Sequence, residues 1–172
     1  MKKIFFSIIL LVYPFLLFSQ TNLAEENKRF ELNVGIENQI PVNDFAVFYH
    51  YGLGISLTAE YKIIKNLSFT FDPAYVNYFY RIKSVDVTGS TPYIILPAGF
   101  KYYLPYKIFV EGQLGLAIKM LEGQKEDALA FSGGVGVYPG KKFNVEIKYA
   151  KIKAITTAPE NICLRIGYSV FR

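Results

Sequence analysis

From residue 30 onward, apolar and polar side chains alternate along the chain with a period of two, which is typical of β-strands with one apolar face. The first segment places Phe30, Leu32, Val34 and Ile36 at every second position. The same alternation recurs in eight segments, near residues 30–37, 53–61, 67–75, 95–102, 108–119, 129–137, 143–149 and 162–170. The pattern predicts an all-β protein with eight antiparallel strands.

The third segment contains Pro73. Proline has no backbone N–H to donate to a neighbouring strand. We therefore expect a local bulge or bend at this position.

The connections between the predicted strands alternate in length. Long connections are expected near residues 40–51, 81–92, 120–127 and 151–160, and tight ones near 62–66, 104–107 and 139–142. Strands of about ten residues can cross a bilayer when they are tilted, and bacterial outer-membrane barrels have short periplasmic turns and longer outer loops. The sequence thus predicts an eight-stranded antiparallel up-and-down transmembrane β-barrel with both termini in the periplasm.

Aromatic residues are concentrated where a barrel would meet the two membrane surfaces. Tyr rings favour this level because the ring body lies in lipid and the hydroxyl reaches the headgroups. We expect an outer girdle of Tyr75, Tyr78, Phe79 and Tyr80, and an inner girdle of Tyr102, Tyr103 and Tyr106.

The N-terminus has the composition of a secretory signal. Lys2 and Lys3 precede an apolar stretch at residues 4–18, and Ser19 and Gln20 follow it. This stretch is shorter than the roughly twenty apolar residues of a membrane-spanning helix. We expect residues 1–20 to be a cleaved signal peptide and residues 21–172 to form one barrel domain.

Several short segments resemble the outer-membrane β-barrel family of small porin-like proteins, which share their architecture with the OmpA transmembrane domain and OmpX. The segments are residues 18–20, 41–45, 51–54, 98–104 and 164–169. The resemblance implies surrounding outer-membrane lipid and assembly by the barrel insertion machinery. Barrels of this family usually end on an aromatic residue, whereas here Phe171 is penultimate and Arg172 is last.

The polar faces of the predicted strands would point into the barrel. They carry charges of both signs, which should pair because an isolated buried charge is costly. Lys101 lies opposite Glu111 across a tight hairpin, and Arg165 lies near Glu146 on the neighbouring strand. The predicted lumen network is Glu60, Lys101, Glu111, Glu146, Lys148 and Arg165, within a wider inward set that adds Glu31, Glu37, Asp72 and Lys119.

The lumen of an eight-stranded barrel is narrow enough for side chains to fill. This favours a polar plug, with a narrow or gated pore for small solutes as the alternative.

The sequence offers little for catalysis or metal binding. His50 is the sole histidine and has no serine within five residues, and Cys163 is the sole cysteine. An internal disulfide is excluded, and neither residue shows metal-ligand spacing. We expect no catalytic, metal or cofactor site. A lipid-modifying outer-membrane enzyme remains the alternative, because a distant serine can approach His50 in the fold.

Net charge argues against a nucleic-acid partner. Removal of Lys2 and Lys3 lowers the formal charge from +5 to +3, and the remaining basic residues are dispersed along the sequence. Proteins that bind nucleic acid usually concentrate basic residues on one face.

The outer loops are the remaining candidates for function, since loops on a rigid scaffold are free to carry binding residues. Phe45, Phe48, Tyr49 and His50 are the candidate contacts with an extracellular ligand, although apolar loop residues can also rest on the membrane surface. A structural or surface-interaction role is expected. The alternative architecture is a soluble lipocalin-like barrel, in which the apolar faces would point inward around a ligand.

Overall fold

The computed structural model describes residues 29–82, 87–121, 124–153 and 159–171, so the predicted signal peptide lies outside the described residues. Strand structure dominates these ranges, and none of their helices is long and apolar enough to span a membrane. The helical elements are α1 (Phe45–Phe48) and a 3-10 turn at Pro105–Lys107. The strands are β1 (Phe30–Pro41), β2 (Tyr49–Ile64), β3 (Leu67–Phe71), β4 (Ala74–Ile82), β5 (Val87–Tyr103), β6 (Ile108–Leu121), β7 (Gln124–Val137), β8 (Phe143–Lys153) and β9 (Glu160–Phe171).

The strands close into an antiparallel barrel. Apart from β3 and β4, strands that are consecutive in the chain pair with each other, and β1 closes the sheet on β9 from Leu32↔Phe171 to Pro41↔Asn161. Both β3 and β4 pair with β2 on one side and β5 on the other, so together they form one strand of the barrel. The ring therefore has eight positions, and the predicted fold class is confirmed.

Pro73 separates β3 from β4 as a break in the ladder. The register is continuous across this break, because Phe71 pairs with Ala98 and Ala74 with Ile95. No extra residue is inserted, so the predicted bulge is wrong. The carbonyl of Pro73 still accepts a hydrogen bond of 2.9 Å from the backbone N–H of Leu57.

Two of the four predicted long loops are wrong. β4 continues to Ile82 and β5 begins at Val87, while the β6–β7 ladder extends to Leu121↔Gln124. The polar composition of these stretches predicts loops. Strands can nevertheless continue past the apolar part of the wall, because hydrogen bonds to the neighbouring strands satisfy the backbone N–H and C=O groups whatever the outward side chains are.

The outer wall of the barrel is apolar and its interior is mainly polar. Ile36 and Ile55 point outward and are 68% and 65% exposed. Polar and charged side chains predominate among the buried residues. This is the reverse of the lipocalin-like alternative, in which the apolar faces would enclose a ligand.

The two ends of the barrel differ in their connections. The "turn end" holds the β2–β3, β5–β6 and β7–β8 connections, together with the start of β1 and the end of β9. Phe30 and Phe171 meet there, with ring centroids 6.3 Å apart. The "loop end" is the opposite end and carries α1.

Candidate functional site

The lumen is the first candidate site, and Lys101 organises its turn-end half. This lysine projects inward from β5 and is fully buried. Its Nζ lies 3.1 Å from Glu60 Oε2 and 3.3 Å from Glu111 Oε2. The Tyr103 hydroxyl also donates a hydrogen bond to Glu60. The structure thus brings together three members of the predicted lumen network.

Lys148 organises a second cluster, nearer the loop end. Its Nζ donates a 2.9 Å hydrogen bond to Asp72 Oδ2 and lies 3.7 Å from Glu37 Oε1. Thr58 donates a 2.6 Å hydrogen bond to the other oxygen of Asp72. One cation again serves two carboxylates, which limits the cost of burying three charges.

Arg165 links polar side chains across the barrel. Its guanidinium donates hydrogen bonds of 2.9 Å to Ser56 Oγ, 2.7 Å to Thr58 Oγ1 and 2.9 Å to Asn144 Oδ1. Nε also lies 3.9 Å from Glu37 Oε1. The expected contact with Glu146 is not what the structure shows: the two residues are opposite in register, but the guanidinium is directed toward β1, β2 and Asn144.

A gap at two glycines makes room for this guanidinium. Gly35 and Gly167 face each other across the β1–β9 pair and point inward. A Cβ at Gly35 would lie 2.7 Å from Arg165 Nε, and one at Gly167 would lie 2.7 Å from Arg165 Nη1. The glycines therefore create the space that Arg165 occupies.

The remaining members of the inward set lie at different levels of the barrel. Glu146 is buried, and its Oε1 has no hydrogen-bond partner among the described residues. Lys119 lies near the loop end, where its Nζ is 3.8 Å from Glu126 Oε2. Glu31 accepts hydrogen bonds from Asn33 and Ser169 near the turn end.

An aromatic layer lines the lumen at the turn end. Phe109 is fully buried, with its ring centroid 5.4 Å from that of Tyr138 and 6.3 Å from that of Tyr103. Lys101 Nζ lies 4.7 Å from the Phe109 centroid, a cation–π distance. Tyr103 was expected in the membrane girdle, but its inward position places its hydroxyl in the charged cluster.

A second aromatic layer fills the loop end. Phe45 of α1 turns into the barrel mouth and stacks on Tyr49 at 4.4 Å. Its ring also meets Tyr78 edge-on at 5.1 Å, and Tyr78 meets Tyr93 at 5.5 Å. Tyr78 is fully buried, so its expected place in the outer girdle is wrong.

A small cavity lies between these two layers. A cavity of about 40 Å³ lies inside the barrel beside Gln39, Asp72, Lys148 and Asn161. This volume accommodates a few water molecules, since one needs about 10–15 Å³ on this measure. It is too small for a solute such as a sugar.

Two of the four candidate loop contacts pack inside the barrel mouth, and the other two are exposed. Phe45 is 1% exposed and is not available to a partner, whereas Tyr49 is half-buried, packs on Phe45 and forms a 3.0 Å hydrogen bond with Thr91. Phe48 and His50 are exposed. Val47, which belongs to the same predicted outer loop, is 73% exposed beside Phe48.

An outward polar cluster marks the rim of the loop end. Glu160, which follows the gap in the described chain at residues 154–158, pairs with Lys151 and accepts a 3.0 Å hydrogen bond from the Tyr149 hydroxyl. Hydrogen bonds from Lys151, Asn43 and Tyr149 lower the pKa of Glu160 to about 2. The carboxylate at this rim therefore remains charged even in moderately acidic solution.

Sequence reasoning missed the aromatic layers more than the charges. The inward position of Phe109 was available from the alternation of its strand. To place Tyr78 and Tyr103 inward, the alternation must be continued into residues that the sequence assigns to an aromatic girdle. Phe45 gave no such signal, because α1 is a single helical turn whose direction depends on packing.

No protein-family model matches this sequence, and no curated protein is significantly similar to it. Solved structures do share its fold. Ail, the attachment invasion locus protein of Yersinia pestis, was solved in complex with the heparin analogue sucrose octasulfate. It is 20% identical over 81% of this chain and 97% of the Ail chain, with a TM-score of 0.57.

Two further structures extend this comparison. The N-terminal β-barrel domain of Pseudomonas aeruginosa OprF is 10% identical over 84% of this chain and 99% of that domain, with a TM-score of 0.53. A de novo designed transmembrane β-barrel is 12% identical over 85% of this chain and 100% of the design, with a TM-score of 0.54. The chain therefore has the fold of small eight-stranded transmembrane β-barrels of the OmpA/OmpX-like type.

Proposed function

We propose that this chain is a small integral protein of a bacterial outer membrane that acts as a structural scaffold and interacts with partners through its loop end, not through its lumen. The observation that carries this proposal is the filled lumen. Buried charge clusters occupy its middle, and aromatic layers lie toward both ends. Function is then left to the outer surfaces.

The apolar outer wall supports the membrane location. Exposed Ile, Leu, Val and Phe side chains cover the outside of the barrel on every strand of the ring. An apolar surface of this extent is unfavourable in water but suited to lipid. The turn end would then face the periplasm and the loop end the exterior.

Single-channel recording tests whether the lumen conducts. In planar bilayers, the wild-type protein is expected to give no stable conductance steps, because charged clusters and aromatic layers fill its described interior. Steady, well-resolved steps would instead support the narrow or gated pore and contradict the plug.

The proposed surface role can be tested at the two exposed apolar residues of α1, Val47 and Phe48. Val47 and Phe48 project from the barrel mouth, and Ail, which shares the fold, is described as an attachment protein. Cells that display the variant Val47→Ser/Phe48→Ser are expected to lose retention on an octyl-coated surface, while the barrel stays heat-modifiable on gels. Unchanged retention would contradict recognition by this pair and leave a scaffolding role.

A further inference from the structure

The exposed charges at the turn end have one sign. Each of the three tight connections carries at least one lysine, and an arginine precedes β1. We call this set the basic ring: Arg29, Lys65, Lys107, Lys141 and Lys142, all of them exposed. Among the described residues at this end, the carboxylates Glu31, Glu60 and Glu111 are buried in the lumen. The described outer surface of the turn end is therefore uniformly positive.

The loop end differs. Its described charged residues include Asp44, Glu126, Asp127 and Glu160 beside its lysines. Lys119 pairs with Glu126 there, and Lys151 pairs with Glu160. The positive charge is thus a property of one end of the barrel, not of the whole surface.

The barrel topology creates this asymmetry. Arg29 and Lys142 are separated by more than a hundred residues, and in the sequence the basic residues look dispersed. Antiparallel strands bring every second connection to the same end. The ring therefore follows the circumference of the barrel and has no counterpart as a sequence motif.

Lys142 shows which way one member of the ring points. Its Nζ lies 3.4 Å from the Tyr168 hydroxyl and 5.7 Å from the centre of the Tyr168 ring. Tyr168 faces outward and packs against Phe143, with centroids 5.1 Å apart. The ammonium group therefore lies on the outer wall, at the edge of its apolar surface, and not over the lumen.

Exposed apolar and aromatic side chains flank the ring. Ile64 and Phe171 are more than half exposed, and Tyr106 is 92% exposed beside Lys107. Aromatic residues and lysines together are typical of the headgroup layer, where the lysine stem lies along apolar surface and its charge reaches the phosphates.

We propose that the basic ring binds the phosphodiester headgroups of anionic phospholipids in the leaflet at the turn end. This inference rests on the proposed membrane location. Positive charges spread around a circumference match a ring of lipid headgroups better than they match one compact polyanion, and each basic residue near an anionic surface adds to the attraction. Phosphatidylglycerol and cardiolipin have the required chemistry.

The test compares each protein with itself in two lipids. Wild type, the turn-end variant Lys65→Gln/Lys107→Gln/Lys142→Gln and the loop-end control Lys119→Gln/Lys151→Gln/Lys153→Gln are folded into vesicles of phosphatidylcholine alone or with one quarter phosphatidylglycerol. The readout is the temperature at which the folded, heat-modifiable band is lost. Both variants remove three positive charges. The control also breaks the ion pairs of Lys119 and Lys151, and comparing each protein with itself in the two lipids removes that loss of stability from the readout.

The wild type is expected to stay folded to a higher temperature in the anionic vesicles. The turn-end variant should lose at least half of that increase, and the loop-end control should keep it. Addition of 0.5 M NaCl should reduce the increase, since salt screens exposed charges.

Other outcomes would overturn the inference. An equal loss in both variants would assign the effect to net charge, and no increase in the wild type would remove the lipid preference. An increase in neutral vesicles on addition of polyphosphate, with none from phosphatidylglycerol, would assign the ring to a soluble polyanion. Absence of a heat-modifiable band in either lipid would overturn the membrane-barrel proposal as well, which separates the two failures.

Discussion

At the scale of single residues, the lumen depends on a few cations that each serve several partners. Lys101 holds Glu60 and Glu111, and Lys148 holds Asp72 and Glu37. Removing one such cation leaves two carboxylates close together and away from water. The cost is therefore larger than the loss of one contact.

Lys101→Met should lower the free energy of unfolding by about 3–5 kcal/mol, the range for an uncompensated buried charge. Equilibrium urea unfolding of vesicle-inserted protein measures this. The triple variant Lys101→Met/Glu60→Gln/Glu111→Gln should recover most of the lost free energy of unfolding, because neutral amides replace the two carboxylates. Lys119→Met is the control, since its partially exposed pair with Glu126 should be worth about 0–1 kcal/mol. Equal losses for Lys101→Met and Lys119→Met would contradict the buried cluster.

The space around Arg165 gives a second prediction. Gly35→Ala places a Cβ against the guanidinium and should cost about 1–3 kcal/mol, as overpacking does. Gly112→Ala, where a Cβ would have no neighbour within 4 Å, should change stability by less than about 0.5 kcal/mol. The same unfolding measurement compares them, and an equal effect at both glycines would argue against the proposed position of Arg165.

Single-residue reasoning from the sequence succeeded where strand alternation applied. It placed Lys101 opposite Glu111, since both flank a tight hairpin. It assigned Arg165 to Glu146 from register alone, whereas the long guanidinium extends over Gly35 and Gly167 to Ser56 and Thr58. Side chains with several rotatable bonds reach partners that register does not specify.

At the scale of elements, tight turns were predicted better than strand ends. Apolar alternation locates a strand only where one face meets lipid, so it ends before the hydrogen-bonded ladder does. β5 accordingly runs for 17 residues, although about ten suffice to cross a bilayer. The break at Pro73 likewise depends on partner strands, which keep the register on both sides.

The β5–β6 turn holds unusual backbone conformations. Tyr106 and Lys107 both have φ 63°, in the left-handed region that favours glycine. Tyr106→Gly should therefore be more stable than Tyr106→Ala by about 1–2 kcal/mol, since both lose the ring but only alanine keeps the cost of the left-handed conformation. Urea unfolding of the two variants checks this. Equal stability would contradict the turn geometry.

At the scale of the whole molecule, the fold separates three environments that the linear sequence interleaves. Outward positions form the apolar wall, inward positions form the filled lumen, and the connections form two rims of different charge. The first two follow from alternation and were predicted. The basic ring was not, because its members become neighbours only when the barrel closes.

A membrane-spanning barrel and a soluble one differ in the surroundings of the outer wall, which spin labels measure. Cysteines placed at the outward positions Ile36, Ile55, Leu114 and Ile147 can each carry a nitroxide label after folding into vesicles, while the buried Cys163 stays unlabelled. In a membrane-spanning barrel, dissolved oxygen should relax these labels and a water-soluble nickel complex should not, with the reverse at a label on a cysteine that replaces Gly140 in the β7–β8 turn. Nickel access at the four wall positions would contradict a membrane-spanning barrel.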